Sequence, residues 1–220
     1  MDIQEPVLSD AEQRGRFLVV GLGNPGDGYR RTRHNIGFHI IDAISCRYRI
    51  VMRHCGVSMR NIDAQIGEGV IEGKNVILMK PMAYMNLSGE PVSRILYHTS
   101  LSSRDMLVVH DDMDLSFGRI KIKSKGGSGG HNGVQSLIDA LGGGDFNRLR
   151  IGIGHSGKGV SVVDYVLSPF TSEENDMMSC IVDRARDAVV TVLCNGAEAG
   201  MNRFNQTLIT ISSQTTDGGK

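Results

Sequence analysis

The feature that most restricts how this chain can fold is its rhythm. Short apolar runs recur at Phe17–Val20, Val76–Met79, Met106–His110 and Leu149–Ile153. Runs of that length are too short for a helix but sufficient for a strand buried on both faces. The segments between them have another period. Ile36, Ile40, Ile44 and Tyr48 return every fourth residue, the spacing of one helical face. Ser88 stands as an N-cap before Val92, Ile95 and Leu96, and Val134, Leu137, Ile138 and Leu141 fit a helix ending at Gly142. Thr171 and Glu174 form a capping-box pattern that opens a helix through Met177, Ile181, Ala185, Val189 and Val192. Strands alternating with helices predict an α/β sandwich with a largely parallel sheet. Ile120 and Ile122 alternate with Lys121 and Lys123, so that strand has one wet face and fits an antiparallel member.

Composition narrows the class. A chain of 220 residues can bury roughly 70% of its unfolded surface and needs no disulfide or metal to hold a core. Without a repeat or a long linker it reads as one domain over 15–208, with polar tails at 1–14 and 210–220 expected to be disordered. Cys46, Cys55, Cys180 and Cys194 contain no C-x-x-C pair, so neither a zinc site nor a redox motif is indicated and reduced thiols are expected. No apolar run approaches the roughly 20 residues of a membrane span, and the start, MDIQEPVLSDAEQRGR, has no signal-peptide core. A cytoplasmic protein is expected. Lys plus Arg and Asp plus Glu both number 24, yet the charge is uneven: nine arginines between Arg14 and Arg60 face only Asp27 and Asp42. A second basic segment runs from Arg119 to Arg150. If the two converge, they form an anion-binding surface on a neutral protein.

Two short motifs mislead. Gly21–Gly26, GLGNPG, matches the dinucleotide fingerprint, with Asp42 about 20 residues on. A nucleotide-binding helix must begin at the third glycine to aim its N–H groups at a pyrophosphate, but Pro25 and DGYRRTRHN intervene and Asp42 falls inside a predicted helix. Gly126–Gly130, GGSGG, matches a nucleophile elbow. The strand before Ser128 is amphipathic rather than central, although Asp139 and Asp145 before His155 leave a serine esterase open as an alternative.

The predicted strands lead into GLGNPG, KPMAYMN and HDDMDLSFG, and in such sheets a site forms at the carboxyl ends of the strands. His34, flanked by Thr32, Arg33 and Asn35, is a candidate base for activating water. Such a base needs a carboxylate to fix its tautomer, and Asp111 or Asp112 is placed to supply one. Asn24 and Asn86 could donate to an oxygen gaining charge. The histidines and acids show no metal-ligand spacing, so no metal or other cofactor is expected.

The blocks GLGNPGDGYRRTRHNIGF, KPMAYMNLSG, HDDMDLSFGRIKIKSKGGSGGHNG and FNRLRIGIGH resemble, in order and spacing, the signature blocks of bacterial peptidyl-tRNA hydrolases. The resemblance runs from Phe17 to Phe204 and includes MNRFN near the end. It implies a three-layer α/β/α sandwich around a mixed sheet, and hydrolysis of the ester between a nascent peptide and the 3′-terminal ribose of tRNA. By resemblance His34 is the catalytic histidine, Asp111 the aspartate that orients it and Asn24 a catalytic-site asparagine. Tyr29, Tyr84, Asn86 and Asn132 match residues that hold the peptidyl-adenosine end, and His131 belongs to the same block as Asn132. Lys121, Lys123 and Arg150 match the basic positions that contact tRNA phosphates. Asp112 stands where many members carry Glu, and Tyr84 where some carry Phe. The segment Met52–Asp63 is less family-like and is assigned no role. The resemblance implies peptidyl-tRNA, through its acceptor stem and 3′ end, as the partner, a monomer, and no obligate protein partner. A relative that kept the fold and binds RNA without catalysis is the other alternative.

Overall fold

The computed structural model describes residues 15–55, 62–157 and 159–206. The tails expected at 1–14 and 210–220 lie outside the described residues, as do Arg14, Arg60 and the middle of the Met52–Asp63 segment.

Seven strands form one sheet: β1 (Arg16–Gly21), β2 (Arg53–His54), β3 (Ala64–Ile71), β4 (Lys74–Pro81), β5 (Met106–Asp112), β6 (Ile120–Lys123) and β7 (Asn147–Gly152), in the order β2-β3-β4-β1-β5-β7-β6. The middle four, β4-β1-β5-β7, are mutually parallel. The flanking pairings β2–β3, β3–β4 and β6–β7 are antiparallel. Among the described residues the helices are α1 (Ile36–Tyr48), α2 (Gly89–Thr99), α3 (Asn132–Leu141), α4 (Val162–Val166) and α5 (Ser172–Phe204), the last broken at Gly196, whose φ of 85° and ψ of 166° are open only to glycine.

Strand alternation creates two cores. Val19, Val76, Leu78, Leu107 and Val109 point to one face, beneath Ile40, Ile44 and Ile181 of α1 and α5. Leu18, Val20, Ile77, Val108 and Phe146 point to the other, beneath Val92, Ile95, Val134 and Leu137 of α2 and α3. This is the three-layer α/β/α sandwich expected.

The hairpin β3–β4 was not legible as a strand pair, because Gly67 and Gly69 interrupt the pattern of AQIGEGVI. The structure shows their use. A Cβ at Gly67 would lie 2.8 Å from Ile50 Cγ2, and one at Gly69 2.6 Å from Ile50 Cγ1, so the two glycines make room for Ile50 to lie on the strand. Ser88 does precede α2, but it is already helical (φ −63°, ψ −22°) and its hydroxyl donates back to the Met85 carbonyl at 2.9 Å. A short 3-10 turn, Met85–Leu87, leads into the helix instead. At the far end of α5, Asn205 returns to β6: its side-chain oxygen accepts from Ile122 N at 2.7 Å and its amide donates to Ile122 O at 3.0 Å.

Candidate active site

The four parallel strands end on the same side of the sheet, and the loops after β1, β4, β5 and β7 gather there. Asn24 follows β1, Tyr84 and Met85 follow β4, Asp111 is next to last in β5, and His155 follows β7. His34 lies in a 3-10 turn, Arg33–Asn35, that leads directly into α1. Its position is set by the helix, which sits close against the sheet: a Cβ on Gly37 would lie 2.5 Å from Val109 O and from both backbone polar atoms of Leu22.

The imidazole and carboxylate that lie 77 positions apart meet here. His34 Nδ1 donates to Asp111 Oδ1 at 2.8 Å, and both residues are buried. His131 Nε2 donates to the same oxygen at 2.9 Å. Its tautomer follows from its other nitrogen, because Nδ1 accepts from the N–H groups of Gly133 at 3.1 Å and Val134 at 3.3 Å. A nitrogen that accepts carries no proton, so Nε2 carries it. His131 thus caps α3 with one side of its ring and steadies Asp111 with the other. Burial by itself would raise the carboxyl of Asp111, but the adjacent His131 and His34 and their hydrogen bonds outweigh it and hold Asp111 well below the usual carboxylate range.

Asn24 is oriented just as strictly. Its backbone N–H donates to Asn35 Oδ1 and its carbonyl accepts from Asn35 Nδ2, both at 2.9 Å. Its side-chain oxygen accepts from Met85 N at 2.8 Å, which leaves the NH₂ end as the available donor. Met85 in turn lies over Gly133, the residue that donates to His131: a Cβ on Gly133 would be 2.4 Å from Met85 Sδ. Hydrogen bonds thus tie Asn24 to Met85 and Asn35, and Asp111 to His34 and His131, with Gly133 between Met85 and His131.

Some expected residues join this network and others surround it. Tyr29 and Tyr84 meet edge to face, with ring centroids 6.4 Å apart. Tyr84 is 57% exposed and lines a cavity of about 370 Å³ together with Pro25. Asn86 and Asn132 are exposed, one in the turn before α2 and one at the start of α3. A second cavity of about 330 Å³ opens over His34, Asp111, His131 and Asn132, with Val162, Val163 and Val166 of α4 on its wall. Sequence reading missed that wall; its one trace is the apolar pair in VVDYV, on a helix too short to show a period. The lysines and arginines of β6 and β7 share one face: Lys121 lies opposite Arg150, and Lys123 opposite Arg148. Arg150 is ion-paired with Asp112, which gives Asp112 a partner apart from the histidine cluster. Arg148, also missed, is buried and donates to the carbonyls of Gly126, Gly127 and Gly144, pinning the glycine loop.

The alternative chemistries fare differently against this geometry. His34, Asp111 and His131 offer ligand atoms within 4.8 Å of one another, but the lone pair of His131 is directed at the α3 N–H groups, so its other nitrogen holds a proton rather than facing an ion. Ser128 lies in the loop after the outermost strand β6, not on a turn leaving a central strand, and among the described residues no histidine bonds its hydroxyl. In place of a dinucleotide fingerprint, α1 begins only at Ile36, and Asp42 on it pairs with Lys80.

Comparison with known proteins points to a single family. Residues 18–212 match the family described as peptidyl-tRNA hydrolase. A peptidyl-tRNA hydrolase of Chloroflexus aggregans is 42% identical over 190 residues, 86% of this chain and 98% of the relative. One from Bacillus subtilis is 41% identical over 189 residues, again 86% of this chain and 98% of the relative. The crystal structure of the peptidyl-tRNA hydrolase from Acinetobacter baumannii superposes with a TM-score of 0.80 at 36% identity, covering 87% of this chain and 95% of that one. With sequence and backbone shared over nearly the whole length of such relatives, the chain belongs to the peptidyl-tRNA hydrolase family.

Proposed function

We propose that this protein hydrolyses the ester joining a nascent peptide to the 3′-terminal ribose of tRNA, by attack of a water that His34 deprotonates. The observation that carries the reading is the buried 2.8 Å hydrogen bond from His34 Nδ1 to Asp111 Oδ1 at the carboxyl ends of the parallel strands. With the proton on Nδ1, the lone pair is on Nε2, the nitrogen free to take a proton from water. Asp111 stays ionised and supports the imidazolium that forms, as the carboxylate does in hydrolytic triads. The proton then passes to the departing ribose oxygen.

The NH₂ of Asn24, left over once Met85 holds its oxygen, donates to the water or to the carbonyl oxygen as it gains charge. Asn86 and Asn132 contact the substrate, and His131 keeps Asp111 in place. Tyr29 and the exposed Tyr84 hold the terminal adenine by stacking, each such ring contributing about 1–3 kcal/mol. Lys121, Lys123 and Arg150 neutralise phosphates of the acceptor stem without reading bases. The protein works in the cytoplasm, on a substrate made there, as a monomer with no obligate protein partner. No helix among the described residues is long and apolar enough to cross a membrane.

The test is hydrolysis of N-acetylated aminoacyl-tRNA beside the unblocked form. The wild type cleaves the blocked ester selectively, and His34→Ala lowers turnover by about 10²–10⁴ with an unchanged circular-dichroism spectrum. Equal cleavage of both esters would remove the substrate class, and full activity in His34→Ala would remove the mechanism. Full activity in Ser128→Ala disposes of a serine nucleophile.

A further inference from the structure

The residue just before the proposed base is a buried cation with no part in the chemistry above. Arg33 is 4% exposed. Its guanidinium forks onto Glu174, with Nη1 to Oε1 at 2.7 Å and Nη2 to Oε2 at 2.6 Å. Nη1 also donates to Ile153 O at 3.4 Å, and Nε to Ser168 Oγ at 3.3 Å. The rings of Tyr165 and Phe170 flank it, with centroids 4.6 Å and 5.1 Å away. The backbone joins in: Arg33 N donates to Ser168 O at 3.0 Å, and Thr32 bridges Pro169.

All of these partners lie between Ile153 and Glu174, the segment that also carries Val162, Val163 and Val166 to the cavity wall. Glu174 does double duty. The oxygen that receives Arg33 Nη2 also accepts from Thr171 N at 2.7 Å, closing the capping box of α5. Burial alone would raise its carboxyl, but the hydrogen bond from Arg33 and those from Thr171 hold it below the usual range. A desolvated ion pair adds little net stability compared with apolar residues packed in its place. What a forked, ring-flanked pair does add is a single geometry.

We propose that Arg33 is a positioning residue, which through Glu174 fixes His34 relative to the Val162–Val166 wall, so that the peptide carbonyl meets the imidazole at the reacting distance. The inference rests on His34 being the base. Misplacement of a reacting group by about 1 Å can cost up to about a hundredfold in rate, so the effect belongs in kcat. The partners of Arg33 lie outside β6 and β7, whose basic face governs RNA affinity, so KM should hold.

The experiment measures kcat, KM and thermal midpoint on N-acetylated aminoacyl-tRNA for Glu174→Gln, Arg33→Lys and Thr171→Ala. Glu174→Gln and Arg33→Lys lower kcat about tenfold or more while KM stays within about threefold. Thr171→Ala loses the cap hydrogen bond and melts earlier, yet keeps its kcat. If kcat instead follows the melting temperature across all three, or is unchanged in Glu174→Gln, Arg33 is merely structural and the proposal falls. Should Arg33→Lys fail to fold, Glu174→Gln decides alone, because glutamine also closes a capping box. Full turnover in His34→Ala would overturn the underlying mechanism instead, which separates the two failures.

Discussion

Beside Asp111 in the strand stands His110, a residue with no assigned role and a large physical signature. Its Nδ1 donates to the Asp111 carbonyl at 2.7 Å, while its Nε2 is buried with no hydrogen-bond partner. A charged ring would carry a second N–H with nowhere to donate. Burial first, and then the nearby ring of His131, push its pKa down from 6.5 to about 3. The folded protein therefore keeps His110 neutral in a range where the unfolded chain takes up a proton. The contribution of His110 to stability is fully present above about pH 6.5 and is lost progressively as the pH drops toward 3. The depressed carboxyl of Asp111 acts in the same direction below about pH 4. Urea unfolding from pH 7 to pH 4 should show this slope, and His110→Asn should flatten it; an unchanged slope would mean that other groups carry the acid sensitivity. At this scale the sequence was readable for identity but not for partners. Asn24 and Asp111 stood out at the ends of predicted strands, and His34 by its polar neighbours Thr32, Arg33 and Asn35. That one oxygen of Asp111 serves two imidazoles, or that Arg33 forks onto Glu174, depends on pairings across 20 and 141 positions, which no local pattern records.

Among the elements, α1 does most to place the site, and in its first turn it does so by lacking a side chain at Gly37, where it meets the sheet. Gly37 on the helix and Gly21 on β1 face each other: a Cβ on Gly21 would lie 2.3 Å from Gly37 O. Gly37→Ala would meet the backbone of Leu22 and Val109, which cannot yield as a side chain does, so the helix must lift. The expected loss is about 1–3 kcal/mol or more, read as a lower denaturation midpoint; equal stability would mean that the helix tolerates a shift. The helices were legible because their periods and caps are local. Gly142 ends α3 in the left-handed conformation, with φ of 72°, and Thr171 and Glu174 cap α5 reciprocally, both as expected. β3 and α4 were not legible, the first because its glycines serve a neighbour rather than the strand, the second because five residues hold less than two helical turns.

For the molecule as a whole, zero net charge conceals a division of labour. Arg16 pairs with Glu68 and Arg33 with Glu174, so part of the basic excess goes to internal order. Lys123 is exposed and Lys121 half-buried on β6, and these are the lysines proposed above to contact tRNA phosphates. Lys121→Ala with Lys123→Ala should weaken tRNA binding and reduce the slope of log affinity against log salt by about one for each phosphate no longer neutralised. An unchanged slope would move the RNA elsewhere on the surface. β6 is also the last strand of its sheet, and such margins invite other chains to lie alongside and extend the ladder. The side chain of Asn205 imitates a peptide group there, occupying both backbone groups of Ile122. Asn205 thereby closes this stretch of the border, beside Lys121 and Lys123, to a further strand.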